Sequence, residues 1–145
     1  MIREATIDEF RLVATMAKNF EDHTSYVKVD VEHTIKEYKR IIESGTGIVF
    51  ALIEDGKVVG GVGGVKFIDI HYPRLLAVET FWFVLPEYRG GGIKLLIRFE
   101  QWAKDNNCER VAFIHLSDSH PEILKKIYTR RGYTMVETHY EKVIK

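Results

Sequence analysis

Between residues 75 and 116 a strand, a glycine-rich turn, a helix and a second strand follow one another directly. This order constrains the fold more than any other feature of the chain. Leu75–Val84 is a β run rich in branched and aromatic residues, stopped at Pro86. A helix is expected from about Gly92 to Asp105, with Leu96, Phe99 and Ala103 on its buried face, and Val111–Leu116 reads as a strand. Two strands joined through a helix run parallel, and the crossover is right-handed because a twisted strand feeding a right-handed helix packs back onto its sheet only that way. The chain therefore needs a sheet with helices laid against it.

The flanking sequence fills in that plan. Residues 2–5 read as a short strand, and Thr6-Ile7-Asp8-Glu9 is a capping box that opens a helix to about residue 21, with Phe10, Val13, Ala14 and Ala17 on one stripe. After the polar loop His23-Thr24-Ser25-Tyr26, Asp30 caps a second helix carrying Val31, Ile35, Tyr38 and Ile42, and Gly45 ends it. The period then changes from helical to alternating. Ile48–Ile53 and a return strand from Lys57 to about Ile70 flank the hairpin dipeptide Asp55-Gly56. Gly60, Gly61, Gly63 and Gly64 interrupt the return strand; a bulged, twisted strand accounts for them, and close approach of a substrate or partner backbone is the alternative. Pro121–Arg131 reads as a last helix ended by Gly132, and Tyr133–Lys145 as one or two strands. The expected order is β-α-α-β-β-β-α-β-α-β(β), an α/β (α+β) class with a mixed sheet.

Length and composition limit the function classes. With 145 residues and 46% hydrophobic side chains the chain suits one domain, 1–145, with an ordinary core. Lys+Arg and Asp+Glu both total 21, so no basic excess points to nucleic acid. No apolar run reaches the roughly 18 residues of a membrane span, and the first residues lack a signal-peptide pattern, so a cytoplasmic location is expected. The one cysteine, Cys108, reads as a packed small hydrophobe.

The chemistry concentrates in Phe83-Val84-Leu85-Pro86-Glu87-Tyr88-Arg89-Gly90-Gly91-Gly92-Ile93-Lys94. A glycine-rich turn at the start of a helix places backbone N–H groups and the positive end of the helix dipole together, and these attract an anion such as a pyrophosphate. Arg89 and Lys94 add positive charge. The dinucleotide pattern fails, because Leu95 or Lys66 stands where its third glycine belongs. The P-loop pattern fails too, since the only Gly-Lys pair, at 56–57, precedes Val58.

The run Val84–Ile93 resembles the coenzyme A-binding motif of the GNAT N-acetyltransferase family, Arg/Gln-x-x-Gly-x-Gly/Ala after a strand. Arg89 and Gly92 match its first two fixed positions, and Lys94 departs from the third. Leu124–Tyr133, with Tyr128, Gly132 and Tyr133, is similar to the family's Leu-Tyr-x-x-x-Gly-Phe, and the order of elements matches over essentially the whole chain. The resemblance implies a GNAT-like, mostly antiparallel sheet flanked by helices. It implies an acetyl-CoA-dependent N-acetyltransferase in which an amine attacks the thioester directly in a ternary complex. By the same resemblance, the main chain of Phe83, Val84 and Leu85 binds pantetheine. Arg89, Gly90, Gly91, Gly92, Ile93 and Lys94 hold the pyrophosphate, and Tyr128 protonates the leaving thiolate.

Glu79 is the candidate base, a carboxylate among Val78, Phe81 and Trp82 whose pKa burial would raise; a charge at a solvated edge is the alternative. Strict alternation places it with Phe81 and Phe83, opposite Trp82 and Val84, unless a bulge shifts the phase. Ser117, Asp118 and His120 follow the strand end at Leu116, where α/β proteins often place site residues. His115, Asp118 and His120 could be read as a metal cluster, but no second cluster completes a ligand set, so no metal is expected. The resemblance implies a primary-amine acceptor, on a small molecule or on a protein or peptide. No nucleic-acid or membrane partner is expected, and a homodimer is compatible with the aromatic strand Phe81-Trp82-Phe83 and the glycine strand. A GNAT-like domain that binds CoA or a protein partner without turnover is the alternative reading.

Overall fold

The computed structural model of the chain describes residues 1–19, 28–114 and 121–144. Five strands, β1 (Ile2–Glu4), β2 (Gly47–Glu54), β3 (Lys57–Ile68), β4 (Leu75–Val84) and β5 (Arg110–Ala112), form one sheet in that spatial order. All pairs are antiparallel except β4–β5, which is parallel as the strand–helix–strand unit requires. The helices are α1 (Ile7–Asn19), α2 (Val31–Glu43), α3 (Gly92–Asp105) and α4 (Pro121–Arg130), with a 3₁₀ turn at Pro86–Gly91 leading into α3.

Local chemistry sets the boundaries. The Thr6 hydroxyl accepts from the Glu9 N–H while the Glu9 carboxylate accepts from the Thr6 N–H, closing the capping box at the start of α1. Asp30 caps α2 by accepting from the His33 N–H at 2.9 Å. Asp55 and Gly56 both have positive φ, the primed turn that matches strand twist in a two-residue hairpin. Gly132 ends α4 with φ near 85°.

The core lies on both faces of the sheet. One cluster joins Phe50, Leu52, Val59, Val62, Ala77 and Val84 to Leu95, Phe99 and Ala103 of α3. The other joins Val49 to Phe10 and Ala14 of α1 and Ile35 of α2, with Tyr38 and Phe81 packed against it.

Three expectations fail in detail. The return strand ends at Ile68 and runs through its glycines. Residues 133–144 form no strand, and beyond Tyr133 their apolar side chains lie in solvent, Met135 being 85% exposed and Tyr140 97%. A strand needs a partner edge as well as β-forming residues, and among the described residues no strand pairs with this segment. The strand expected over Val111–Leu116 is Arg110–Ala112, with Phe113 and Ile114 outside it. The end of the first helix, His23, Tyr26, His115, Leu116, Ser117, Asp118 and His120 lie outside the described residues.

Candidate active site

The site begins where β4 and β5 part. β5 is paired with β4 only over Leu76–Val78. Beyond Val78, β4 stays bonded to β3 on one side, and no strand among the described residues lines its other edge. The Leu85 N–H donates to Val59 O at 2.9 Å, so the polar groups of Leu85 face β3. By antiparallel alternation Phe83 shares that side, while the N–H and C=O of Val84 and Trp82 look into the opening.

A bulge shapes the opening. Gly63 is opposite Phe81 and Gly64 opposite Glu79, which leaves Thr80 as the extra residue on β4. Ala77 therefore packs on the α3 face while Phe81, four residues on, packs on the α1–α2 face. Glu79 keeps the phase of Ala77, so its expected grouping with Phe81 and Phe83 does not hold. The glycines opposite the bulge are spaces for the chain's own groups. A Cβ on Gly63 would lie 2.3 Å from the Phe81 ring, and one on Gly64 would lie 2.4 Å from Val78 O and 2.5 Å from Phe99.

Glu79 is 5% exposed, the one charged residue in the described core. Its carboxylate accepts from the Ile114 N–H at 3.0 Å. Burial pushes its pKa up to about 7, against the opposing effect of that hydrogen bond. Tyr128, on α4, donates its hydroxyl to the carbonyl of the same residue, Ile114, at 2.9 Å. Its ring packs among Trp82, Phe113 and Tyr133. Burial, and then the nearby Glu79 charge, hold the phenol far above its ordinary pKa, so it keeps its proton at any working pH. A carboxylate and a phenol thus bind the two main-chain polar groups of one residue, Ile114, just beyond β5.

The turn after β4 lies at the other end of that edge. Pro86 starts a 3₁₀ turn and Gly91 precedes α3 with no side-chain cap; the first turn of α3 carries no acidic residue. The positive end of a 14-residue helix therefore meets no negative side chain from its own first turn, which fits the phosphate group of a nucleotide. Arg89, Gly90, Ile93 and Lys94 are exposed around it. Gly91 and Gly92 serve packing as well: a Cβ on Gly91 would lie 2.7 Å from Leu52, and the Trp82 indole donates to Gly92 O at 3.1 Å. Only Gly90, of the three, has open space where a Cβ would stand.

The structure thus brings Glu79 and Tyr128 together, with Val84 on the same edge and Arg89–Lys94 at its end. Trp82, Thr80 and Tyr38 were not singled out from the sequence. Trp82 was legible from alternation with Val84, whereas Thr80 becomes special only through strand register. Among the described residues no group of three His, Cys, Asp or Glu side chains is placed to hold a metal ion, and no helix is long and apolar enough to cross a membrane.

The chain belongs to the acetyltransferase (GNAT) family, whose model matches residues 11–133. Solved structures with the same fold include a transcriptional regulator from Bacillus halodurans at TM-score 0.80 and 18% identity, covering 99% of each chain. A predicted acetyltransferase from Clostridium acetobutylicum, solved with acetyl-CoA, is similar at TM-score 0.74 and 15% identity, over 99% of this chain and 95% of that one. A GNAT family acetyltransferase from Staphylococcus aureus aligns at TM-score 0.71 and 18% identity, over 99% and 98%. Among curated proteins, the thermosome subunit beta of Methanothermobacter thermautotrophicus is 47% identical over 47 residues, spanning 32% of this chain and 9% of that protein.

Proposed function

We propose that the chain, as a single domain, is an N-acetyltransferase that moves an acetyl group from acetyl-CoA to a primary amine by direct attack in a ternary complex. The observation that carries this reading is the bracketing of Ile114 by Glu79 and Tyr128 beside the open edge of β4. Acetyl-CoA supplies an activated thioester, and the residues around it have three tasks. The outward N–H and C=O of Val84 and Trp82 hold an extended pantetheine by main-chain bonds, while Phe83 and Leu85 shape the strand from the β3 side. Arg89, Gly90, Gly91, Gly92, Ile93 and Lys94 receive the pyrophosphate, with Lys94 contributing charge where the family prefers a small residue.

Glu79 accepts the proton that the amine must lose, directly or through a water, as the new C–N bond forms and the C–S bond breaks. A base with pKa near 7 is half in its active form at neutral pH, a good match to its task. Tyr128 then donates to the departing sulfur, which competes with Ile114 O for its hydroxyl. The acceptor is an amine on a small molecule or on a protein or peptide, and a cytoplasmic setting suits the chemistry.

Thermal melting with acetyl-CoA, CoA and ATP tests the cofactor assignment. A ligand at 100 times its Kd stabilises by about 2.7 kcal/mol, which for a domain of this size is a rise of several degrees. A rise with both CoA species and none with ATP is the expected result. No shift at millimolar CoA would remove the cosubstrate and with it the proposed reaction.

A further inference from the structure

The bulge on β4 is held from the far side of the sheet. The Thr80 hydroxyl donates to Gly63 O at 3.1 Å and is hydrogen-bonded to the hydroxyl of Tyr38 on α2. Tyr38 is itself fixed by rings, 4.8 Å from Phe10 of α1 and 5.7 Å from Phe81, and the Phe10 and Phe81 rings meet edge-on at 5.5 Å. The Phe81 ring covers Gly63, where no Cβ would fit.

We propose that Tyr38 and Thr80 are positioning residues for Glu79. Their hydroxyls clamp the extra residue of β4, and the clamp holds the phase shift that turns the Glu79 carboxylate into the β4–β5 opening. The inference rests on the acetyltransferase reading above for its catalytic meaning, though the clamp is defined by geometry alone. An alternating strand without the extra residue would carry Glu79 on the side of Phe81, against α1 and α2, away from the α3 side of the sheet. A bulge leaves one residue outside the ladder, so something other than ladder bonding must keep it in place. Thr80 supplies that bond through its own side chain, and Tyr38 fixes the hydroxyl that makes it. The arrangement also ties the base to α2, an element that shares no strand with the CoA edge.

The groups around Glu79 are few. From α2 comes the phenol of Tyr38 and from α4 that of Tyr128, both of whose pKa values the Glu79 charge raises after burial. β3 presents Gly63 and Gly64, α3 presents Phe99, and the segment after β5 presents the Ile114 N–H. Among the described residues no cation is paired with the carboxylate, so its protonation reports mainly how deeply the bulge keeps it buried.

The test is a carbon-13 carboxyl titration of Glu79, assigned by its loss in Glu79→Gln, together with amine-dependent turnover, in wild type, Thr80→Val, Thr80→Ser and Tyr38→Phe. The clamp predicts that Thr80→Val, nearly isosteric but without the hydroxyl, moves the Glu79 midpoint by at least one pH unit toward the ordinary carboxylate range. Tyr38→Phe moves it less, and Thr80→Ser restores it. Turnover at neutral pH falls about tenfold in Thr80→Val at unchanged acetyl-CoA affinity, and this loss vanishes in a Glu79→Gln background. An unmoved Glu79 midpoint in a folded Thr80→Val protein overturns the clamp, whatever the activity does. A moved midpoint in a protein that turns over no amine retains the clamp and removes the acetyltransferase reading instead.

Discussion

Glu79 concentrates the physical tension of the molecule in one side chain. A carboxylate in the core is stable there mainly as the neutral acid, since its single hydrogen bond, from Ile114 N–H, offsets only part of the desolvation. Its folded pKa of about 7 lies above the ordinary 4.5, so the folded chain binds this proton more tightly than the unfolded chain. The contribution of Glu79 is therefore most favourable below about pH 4.5 and declines as pH rises through 7, a loss of about 3 kcal/mol when complete. Melting curves of wild type and Glu79→Gln should diverge with pH, the variant gaining relative stability between pH 5 and 8; parallel curves would contradict the burial argument. For Tyr128→Phe, loss of the bond to Ile114 O should cost about 1 kcal/mol of stability, and loss of the acid should lower kcat by roughly 10- to 100-fold. A variant with unchanged kcat would remove Tyr128 from the reaction. Desolvation of Glu79 was legible in the sequence from its apolar neighbours, but its direction was not, because that depends on a bulge defined by pairing between residues 15 positions apart or more.

At the scale of elements, capping chemistry was readable almost residue by residue. The Thr6–Glu9 box, the Asp30 cap and the Asp55-Gly56 turn are short-range contacts between groups two or three positions apart, and they form as their sequence signals require. Strand content that depends on distant partners was less readable. Residues 133–144 carry β-forming side chains that pair with no strand among the described residues, and Gly63 and Gly64 of β3 make sense only against Phe81 on β4 and Phe99 on α3. Gly64→Ala should therefore destabilise the fold by about 3 kcal/mol, at the upper end for overpacking, because its Cβ meets backbone as well as a ring. Gly90→Ala, with open space and no positive φ, should leave the melting temperature nearly unchanged and act only on cofactor binding. Equal melting of wild type and Gly64→Ala would show that β3 and β4 relax apart at the bulge.

For the whole molecule, one architectural decision produces the site. A parallel β5 added to an antiparallel sheet pairs with β4 only over Leu76–Val78, so among the described residues no strand lines that edge further on, and the same crossover delivers the start of α3 to its end. The family and the mixed sheet were legible because the strand–turn–helix sequence and the Tyr128–Gly132 segment are local; the sharing of Ile114 between Glu79 and Tyr128 was not, since it joins three separate elements. The central claim is amine-dependent cleavage of acetyl-CoA at this junction. Free thiol release from acetyl-CoA should be followed across a panel of small and peptide amines, for wild type and Glu79→Gln, over pH 5.5 to 9. Release should require an amine, rise through pH 7 in the wild type, and fall by about 100-fold with loss of that limb in Glu79→Gln. Acetyl-CoA binding with no amine-dependent release from any acceptor, or equal release by both proteins at every pH, would contradict it.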